Sequence, residues 1–227
     1  MTELPFGTMR WRLPNPAAWL RALSSQCAVC RSWPAQRVCA PCVARFGTAQ
    51  ARCSSCALAL PLDIAPGAGP RSTQCGACIR KAPPLDACFA AVTYGYPWSD
   101  IISSFKFGGE PAWSSVLATL LLRSPGVQQA LGDLAPGDLL LPLPLSAARL
   151  QSRGFNQSWE LASALGRQAQ TAARTDNRLL LRIRDTPPQA QLKREARLHN
   201  VKGAFVVDPL RVSLLQGKRV VLVDDVM

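Results

Sequence analysis

Two adjacent carboxylates, Asp224 and Asp225, directly follow a run of four apolar residues at 220–223. A short apolar run bounded by polar residues is typical of a strand that is buried on both faces of a parallel sheet. Ligands of such sheets bind at the carboxyl ends of the strands, which is where these two acids would lie. Acids in that position suit sugar hydroxyls or a hard cation such as Mg²⁺, although an acid after a strand is also a common helix N-cap.

Eight of the nine cysteines form four Cys-x-x-Cys pairs. Each pair directs two thiolates at one tetrahedral centre, and two pairs complete a four-cysteine site for Zn²⁺. Disulfides are the structural alternative, but a reducing cytosol disfavours them, and four tandem pairs without a surrounding βαβ pattern do not fit a thioredoxin-like redox motif. The pattern predicts structural zinc, with the pairs combined sequentially or in an interleaved order. The predicted ligands are Cys27, Cys30, Cys39, Cys42, Cys53, Cys56, Cys75 and Cys78.

The segment that carries these pairs, residues 24–80, is rich in Ala, Ser, Pro and Arg. It has too little apolar surface to fold by burial alone, so we expect zinc to supply much of its folding free energy. A zinc ribbon of this kind either binds nucleic acid or stabilises a small domain, and the stabilising role is the simpler expectation. The ninth cysteine, Cys88, precedes the apolar residues 89–92 and is predicted to be buried in a strand.

The formal charge of +12 favours anionic partners, namely nucleic acid, phosphorylated metabolites or an acidic membrane surface. Between Arg149 and Lys202 eleven cations face four acids, so 11 − 4 = +7 of the surplus lies in that stretch. A solvated basic face is the simpler explanation for such a stretch. The most apolar segment, residues 139–145, is too short to span a membrane, and residues 1–23 make a poor signal peptide. We therefore expect a cytoplasmic protein without a membrane span.

Apolar periodicity places alternating strands and helices after a linker at residues 81–86. Leu139 to Leu143 reads as a strand inside the sheet, and Asn156 is a good N-cap for the helix that follows it. Ser99 is the predicted cap of a helix that runs through Ile101 and Phe105. The other predicted elements are strands at 88–96 and 179–181 and a helix at 112–123.

Several short motifs occur in one order along the chain. They are the four cysteine pairs, Lys106-Phe107-Gly108, Pro142-Leu-Pro144-Leu145 with Arg149, Arg153-Gly154-Phe155-Asn156-Gln157, the array Thr186, Gln189, Leu192, Arg197, Asn200 and Gly203-Ala204-Phe205, and the strand that ends at Asp225. In this order they resemble the ComF family of bacterial, competence-associated, phosphoribosyltransferase-like proteins. The resemblance covers the chain from about residue 27 to its end.

The resemblance implies an α/β fold, namely a type I phosphoribosyltransferase-like parallel sheet at residues 87–227, preceded by a small double zinc ribbon at residues 24–80. It also implies a site for phosphoribosyl pyrophosphate with Mg²⁺, in addition to the structural Zn²⁺. By that analogy Asp224 and Asp225 would hold the ribose hydroxyls. The loop of Pro144, Leu145 and Ser146, with Arg149 nearby, would face the pyrophosphate, and Arg153 and Lys106 are candidate anion contacts. Phe155 and Asn156 have the simpler roles of packing and capping.

Members of that family are tied to natural competence, the uptake of transforming DNA. The sequence ends at Met227, before the Thr-Thr-Gly loop that in the family would hold the 5′-phosphate. We therefore expect a C-terminally truncated domain that binds no phosphoribosyl pyrophosphate until the genomic continuation is added, and whether it is a catalytic glycosyltransferase stays open. The alternatives are a non-catalytic factor that binds single-stranded DNA in uptake, or a truncated inactive copy. Other proteins of the competence machinery are further implied partners.

Overall fold

A computed structural model describes residues 25–61, 73–186 and 200–226 of the chain. The chain divides into two compact units, Met1–Val43 and Ala44–Met227. The predicted domain bounds, residues 24–80 and 87–227, stay a prediction. None of the described helices is long and apolar enough to cross a membrane.

The described part of the smaller unit is organised around its cysteines. Ser25 and Ala35 form an isolated antiparallel bridge, with backbone hydrogen bonds of 2.7 and 2.8 Å in the two directions. The bridge closes the turn that carries the first cysteine pair. Helix α1, Ala40–Phe46, begins directly after Cys39 and buries Cys42. Few other side chains are buried in this unit, so the cysteines make up most of its core.

The second set of cysteine pairs lies in the larger unit and repeats this arrangement. Arg52 and Ala59 form the antiparallel bridge, and helix α2, Gly76–Arg80, begins directly after Cys75. Cys53, Cys75 and Cys78 are buried together, with Leu60 packed against them. Again the cysteines supply the local core, as the composition of the segment predicts.

A three-stranded parallel sheet is the centre of the larger unit. Its strands are β1, Leu139–Pro142, β2, Arg174–Thr175, and β5, Val220–Val223, in the order β2-β1-β5. All four residues of β1 are buried, which confirms the strand predicted inside the sheet. The α/β class and the parallel sheet are therefore correct. Because the strands are parallel, the residues that follow β1 and β5 lie at one edge of the sheet.

The prediction that β5 is buried on both faces is wrong. Val220 is 40% exposed and Leu222 is 52% exposed, whereas Val223 is buried. Among the described residues β5 pairs with β1 alone, and one of its faces is left without a covering element. An apolar run shows that a strand has two apolar faces, but which elements cover them depends on the rest of the fold.

The described part of the larger unit has five further helices: α3, Trp98–Phe107, α4, Trp113–Arg123, α5, Val127–Gly132, α6, Ala147–Arg153, and α7, Gln157–Ala169. Helix α7 is the central one, because it packs against α4 on one side and against β1 on the other. Its apolar stripe, Leu161, Ala162 and Leu165, is buried. On the solvent-exposed side of the α4–α7 contact, the side-chain amide of Gln168 donates to the Ser115 backbone oxygen at 3.0 Å.

Two local predictions before α4 are wrong. Helix α3 begins at Trp98 with Pro97 as its N-cap, so Ser99 lies inside the first turn instead of capping it. The indole N–H of the buried Trp98 donates to the Phe46 backbone oxygen at 2.7 Å, and this contact fixes where the helix starts. Residues 88–96 form no strand. Cys88 is half-buried in a loop, and its backbone N–H donates to the Ser54 backbone oxygen. Apolar residues alone do not make a strand where no neighbouring strand is available for pairing.

A second, two-stranded sheet stands apart from the parallel one. It pairs β3, Leu180–Arg182, with β4, Phe205–Val207, in antiparallel register. The strand predicted at 179–181 is therefore present, but it is not part of the main sheet. Its first predicted residue, Leu179, is fully buried against Leu139 and Leu141 of the main sheet, which joins the two sheets. A single turn of 3₁₀ helix, Val212–Leu215, connects β4 to β5.

The carboxylate of Asp176, just after β2, holds the start of this second sheet in place. It accepts backbone N–H bonds from Arg178 at 2.8 Å and Leu179 at 3.0 Å. It also forms ion pairs with Arg174 at 2.8 Å and Arg211 at 2.7 Å. Burial raises the pKa of Asp176, but these N–H donors and the two guanidinium groups outweigh burial and lower it.

Candidate functional site

The first cysteine cluster brings together the first two Cys-x-x-Cys pairs. The sulfur atoms of Cys27, Cys30, Cys39 and Cys42 all lie within 4.8 Å of one another, and those of Cys30 and Cys39 are 3.6 Å apart. Sulfurs at the corners of a zinc tetrahedron lie about 3.8 Å apart, given a Zn–S bond of about 2.3 Å. The four side chains therefore have the spacing that a Zn²⁺ ion requires.

The second cluster has the same geometry. Cys53, Cys56, Cys75 and Cys78 also lie within 4.8 Å of one another, with 3.7 Å between the sulfurs of Cys56 and Cys75. Among the described residues these are the two groups of three or more possible ligands that could hold a metal ion, and each combines neighbouring pairs. The order of pairing that the sequence left open is therefore sequential.

Backbone N–H groups prepare one sulfur of each cluster to act as a thiolate. The Cys75 N–H donates to the Cys53 sulfur at 3.2 Å and lowers the pKa of that thiol to about 6. Burial raises the pKa of Cys27, but N–H donors from Cys30, Cys39 and Val29 outweigh it and lower the value to about 6. A metal ligand must be deprotonated, so these sulfurs are the ready anions of their clusters.

In each cluster the last cysteine behaves in the opposite way. Burial raises the pKa of Cys42 and of Cys78 to about 12, because a buried thiolate without a counter-ion is costly. Four sulfurs that cannot all ionise on their own are a poor arrangement for free thiols. A divalent cation in the centre would supply the missing positive charge, so the donor set fits structural zinc.

The sheet edge carries the second candidate site, centred on Asp224 and Asp225. One carboxylate oxygen of Asp224 accepts the Ser158 hydroxyl at 2.9 Å and the Asp225 backbone N–H at 2.9 Å. Part of Asp224 is exposed, yet the protein atoms packed around its carboxyl raise its pKa to about 6, and repulsion from Asp225 adds to the rise. An acid held in this way gains from a cation or a hydrogen-bond donor brought by a ligand.

Lys106 neutralises the second acid. Its ammonium group lies 3.2 Å from a carboxylate oxygen of Asp225, whose side chain is only 9% exposed. Lys106 is in the last turn of α3, so the end of that helix faces the edge where β5 ends. The structure thus brings together Lys106 and the two acids, which lie more than a hundred residues apart in the sequence.

Arg153 stands beside this ion pair. Burial lowers the pKa of its guanidinium, Asp225 raises it and Arg149 lowers it, so Arg153 is within electrostatic reach of both. Its Nη1 donates to the side-chain oxygen of Gln157 at 2.9 Å, and the Gln157 amide donates to the Lys106 backbone oxygen at 3.4 Å. Gln157 is 1% exposed, so the residue that links Arg153 to the end of α3 is itself buried.

The loop that was predicted to face a pyrophosphate, Pro144 to Ser146, follows β1 at the same edge. Ser146 is buried and caps α6, where its hydroxyl accepts the Arg149 N–H at 3.4 Å. The same hydroxyl hydrogen-bonds to Asp185, which lowers the pKa of that carboxyl, and Arg149 and Arg182 lower it further. The guanidinium of Arg149 also donates to the Thr186 backbone oxygen. Arg149 is therefore held at the edge, with part of its charge balanced by Asp185.

An open cleft of about 480 Å³ lies between the end of α3 and helix α6. Three of the predicted site residues, Lys106, Arg149 and Arg153, line it, so the cleft is basic. The remaining lining residues are Phe107, Gly108, Gly109 and Ser152. Of the basic stretch from Arg149 to Lys202, residues 187–199 lie outside the described residues, and they include Gln189, Leu192 and Arg197 of the motif array.

Sequence reasoning missed the partners that hold these groups. Ser158, Gln157, Asp185 and Arg182 were not predicted as site residues. Gln157 and Ser158 directly follow the cap Asn156, and their position in the first turn of a helix that points at the sheet edge is the one signal that could have found them. For Asp185 the sequence carries no comparable signal.

The fold and these sites define an α/β protein that combines a parallel sheet bearing two acids at its edge with two four-cysteine clusters. No family model and no solved structure matches the chain. The DNA utilization protein YhgH of Escherichia coli O6:H1 is 33% identical over 182 residues, which cover 77% of each chain, and that of Salmonella typhi is 32% identical with the same coverage. Competence protein F of Haemophilus influenzae is 29% identical over 154 residues, 68% of this chain and 66% of the other. The chain belongs to the ComF family.

Proposed function

We propose that this protein serves natural competence and that its sheet edge binds phosphoribosyl pyrophosphate with Mg²⁺, in a type I phosphoribosyltransferase-like domain. The observation that carries the proposal is the placement of Lys106, Arg149 and Arg153 around Asp224 and Asp225 at the carboxyl ends of parallel strands. Acids next to cations match a ligand that has hydroxyls at one end and phosphates at the other. No catalytic residue is assigned.

The two acids suit the ribose part of such a ligand. Carboxylate oxygens accept from sugar hydroxyls, and two acids on neighbouring residues can each accept from one of two vicinal hydroxyls. Asp224 already accepts from Ser158, which fixes the orientation of its carboxylate. When bound, Mg²⁺ would neutralise pyrophosphate oxygens, and Asp224 and Asp225 are the residues at this edge whose oxygens could hold it.

The three cations suit the phosphate part. Charge-assisted hydrogen bonds to phosphate contribute roughly 1.5–3 kcal/mol each, so a few of them dominate the affinity for a phosphorylated sugar. Lys106 is held by Asp225 in the free protein. When a ribose hydroxyl takes its place on Asp225, Lys106 becomes available to a phosphate oxygen. Ligand binding then replaces the ion pair between Lys106 and Asp225 with two contacts, one from Asp225 to a hydroxyl and one from Lys106 to a phosphate. Lys106 therefore keeps a negatively charged partner.

Titration calorimetry of the protein as encoded in its genome, with phosphoribosyl pyrophosphate and Mg²⁺, tests this proposal. We expect Asp225→Asn and Lys106→Met each to weaken binding by about 10- to 150-fold, the equivalent of one charge-assisted contact. Asp133→Asn, an exposed acid at the end of α5, is the matched control and should bind normally. Binding that is the same in the wild type and Asp225→Asn, or no binding at all, would contradict the proposal.

The names of the relatives favour a second candidate, a DNA-binding role in uptake without catalysis. Two of the proteins described above are DNA utilization proteins and the third is a competence protein. A surplus of +7 between Arg149 and Lys202 suits the phosphates of single-stranded DNA. A cytoplasmic location, which we also propose, suits the cysteine clusters because thiols persist under reducing conditions. The two candidate functions are compatible, because the first depends on the acids and cations at the sheet edge and the second depends on the excess of positive charge.

A further inference from the structure

Phe107 is largely exposed at the end of a helix whose other apolar side chains are buried. It ends helix α3, in which Trp98, Ile101, Ile102 and Phe105 point into the core, and its own side chain is 73% exposed. The ring is part of the lining of the basic cleft between Lys106 and Arg149. Exposing an apolar ring to water costs free energy, so an exposed aromatic side chain inside a cleft is a candidate ligand contact.

The position of this ring is fixed from one side. The guanidinium carbon of Arg153 lies 4.9 Å from the ring centroid, which is a cation–π contact. Arg153 is itself held by the buried Gln157, which also donates to the backbone oxygen of Lys106, the residue just before Phe107. The ring therefore rests on a supported platform, although most of its surface remains in solvent.

Two glycines, Gly108 and Gly109, follow Phe107 and line the same cleft. A Cβ atom at Gly108 would lie 2.7 Å from the Ser104 backbone oxygen, so this position accepts only glycine without a shift of the helix end. Gly109 has a φ of +66°, which favours glycine, and apart from the glycine itself and its two chain neighbours no residue has an atom within 4 Å of where its Cβ would be. The two residues after Phe107 therefore add no side chain of their own to the cleft lining.

We propose that Phe107 is the stacking platform for a nucleobase, and that Arg149 and Arg153 contact the phosphate of the same nucleotide. A planar ring on the outer face of Phe107 would complete a stack of base, phenyl ring and guanidinium, since aromatic faces accept both bases and cations. Lys106 connects the cleft to the acid pair, because it lines the cleft and forms an ion pair with Asp225. The inference rests on the proposed function only in taking this cleft as part of a ligand site.

A nucleotide of this kind could be free or could be one unit of a single strand, and the chemistry recognised is the same. The test compares adenosine 5′-monophosphate with a short single-stranded DNA, by calorimetry or by fluorescence anisotropy of a labelled strand. Phe107→Leu keeps an apolar side chain without an aromatic face, and Phe107→Trp keeps the face. Tyr94→Leu, which removes another exposed aromatic ring outside the cleft lining, is the matched control.

We expect Phe107→Leu to weaken nucleotide binding by roughly 5- to 150-fold, the range measured for loss of one stacked base. Phe107→Trp should retain the wild-type affinity, and Tyr94→Leu should not alter it. An effect on the mononucleotide identifies a free nucleotide as the ligand, and an effect on the oligonucleotide alone identifies a base within a strand. Because Phe107 is exposed, circular dichroism should show the same fold for every variant.

Three results would overturn the inference. The first is that neither nucleotide ligand binds. The second is that Phe107→Leu binds both ligands as the wild type does. The third is that Tyr94→Leu weakens binding as much as Phe107→Leu. Phosphoribosyl pyrophosphate binding by the wild-type protein as encoded in its genome is measured in parallel, with Mg²⁺ present. If it is present while Phe107→Leu leaves nucleotide affinity unchanged, the stacking platform is wrong and the proposed function stands. If neither phosphoribosyl pyrophosphate nor a nucleotide binds, both are wrong.

Discussion

Single side chains at the sheet edge are arranged as pairs of opposite charge. Asp225 is paired with Lys106, and Asp185 with Arg149 and Arg182. Asp224 forms no salt bridge among the described residues; burial and repulsion from Asp225 raise its pKa, and the nearby Lys106 offsets only part of that rise. It is therefore the acid that gains most from a ligand that brings a hydroxyl or a metal ion.

The cysteine clusters also depend on individual residues, and their zinc content is the first prediction. We expect about two Zn²⁺ per chain in protein purified without chelator, one for each four-cysteine cluster. Cys27→Ser and Cys53→Ser should each lower the content by about one ion, because a tetrahedral structural site needs all four ligands. The content is measured by plasma emission spectrometry of the dialysed protein.

Cys88→Ser is the matched control for these variants. Cys88 belongs to neither cluster, so its replacement should leave about two zinc ions bound. Structural zinc sites contribute on the order of 10 kcal/mol to folding in small domains, so Cys53→Ser should also expose its segment to proteolysis. A wild-type content below one ion per chain would show that the clusters are not zinc sites.

At the scale of elements, the start of helix α7 is the point where the domain is joined together. Three consecutive residues each bind a different element. Asn156 donates to the Leu143 backbone oxygen after β1 at 3.2 Å. Gln157 donates to the end of α3, and Ser158 donates to Asp224 after β5. The ring of Phe155, just before them, packs on Phe105 of α3 with 5.9 Å between ring centroids.

The cap of this helix provides the second prediction. The side-chain oxygen of Asn156 accepts the N–H groups of Ser158 at 3.0 Å and Trp159 at 3.4 Å, which confirms the predicted cap. Asn156→Ala removes the cap and the bond to Leu143, so we expect it to lower the free energy of unfolding by about 1–3 kcal/mol. Urea denaturation of zinc-loaded protein measures this.

Asn156→Ser separates the two contributions. Serine caps a helix about as well as asparagine but has no amide group to reach Leu143, so it should lose only about 0.5–1.5 kcal/mol. If alanine and serine destabilise equally, capping is not what Asn156 contributes. If neither has an effect, the start of α7 is held by its other contacts, which include the Gln157 and Ser158 hydrogen bonds.

At the scale of the whole molecule, the excess of positive charge provides the third prediction. We expect the protein to bind single-stranded DNA with an affinity that falls steeply between about 50 and 200 mM salt, because bound cations release counter-ions from the strand. Arg178→Glu together with Lys202→Glu, two exposed cations of the stretch from Arg149 to Lys202, should weaken binding. The slope of log K against log salt should become shallower by about 0.7 for each phosphate that the variant no longer neutralises.

Arg123→Glu is the control for this charge reversal, because it makes the same change at an exposed position outside that stretch. It should weaken binding less than either Arg178→Glu or Lys202→Glu. Fluorescence anisotropy at several salt concentrations measures all of these affinities. DNA binding that is insensitive to salt and to the two reversals would remove the basic face from the proposed uptake role.

Features that depend on neighbouring residues could be predicted from the sequence. The spacing within each Cys-x-x-Cys pair fixes where two sulfurs point, so the ligands of both clusters could be named in advance. The buried strand β1, helix α4 and the cap at Asn156 follow from short-range patterns of the same kind. The order of the motifs was enough to indicate the ComF family.

Features that depend on contacts between distant segments needed the folded chain. The exposed face of β5, the separate sheet of β3 and the loop at residues 88–96 all depend on which partner strands and covering elements are present. The same is true of the site. Ser158 meets Asp224 across 66 residues, and Lys106 meets Asp225 because α3 ends where β5 ends. Residue type restricts which pairs can form, but the packing of the elements selects the pairs that do.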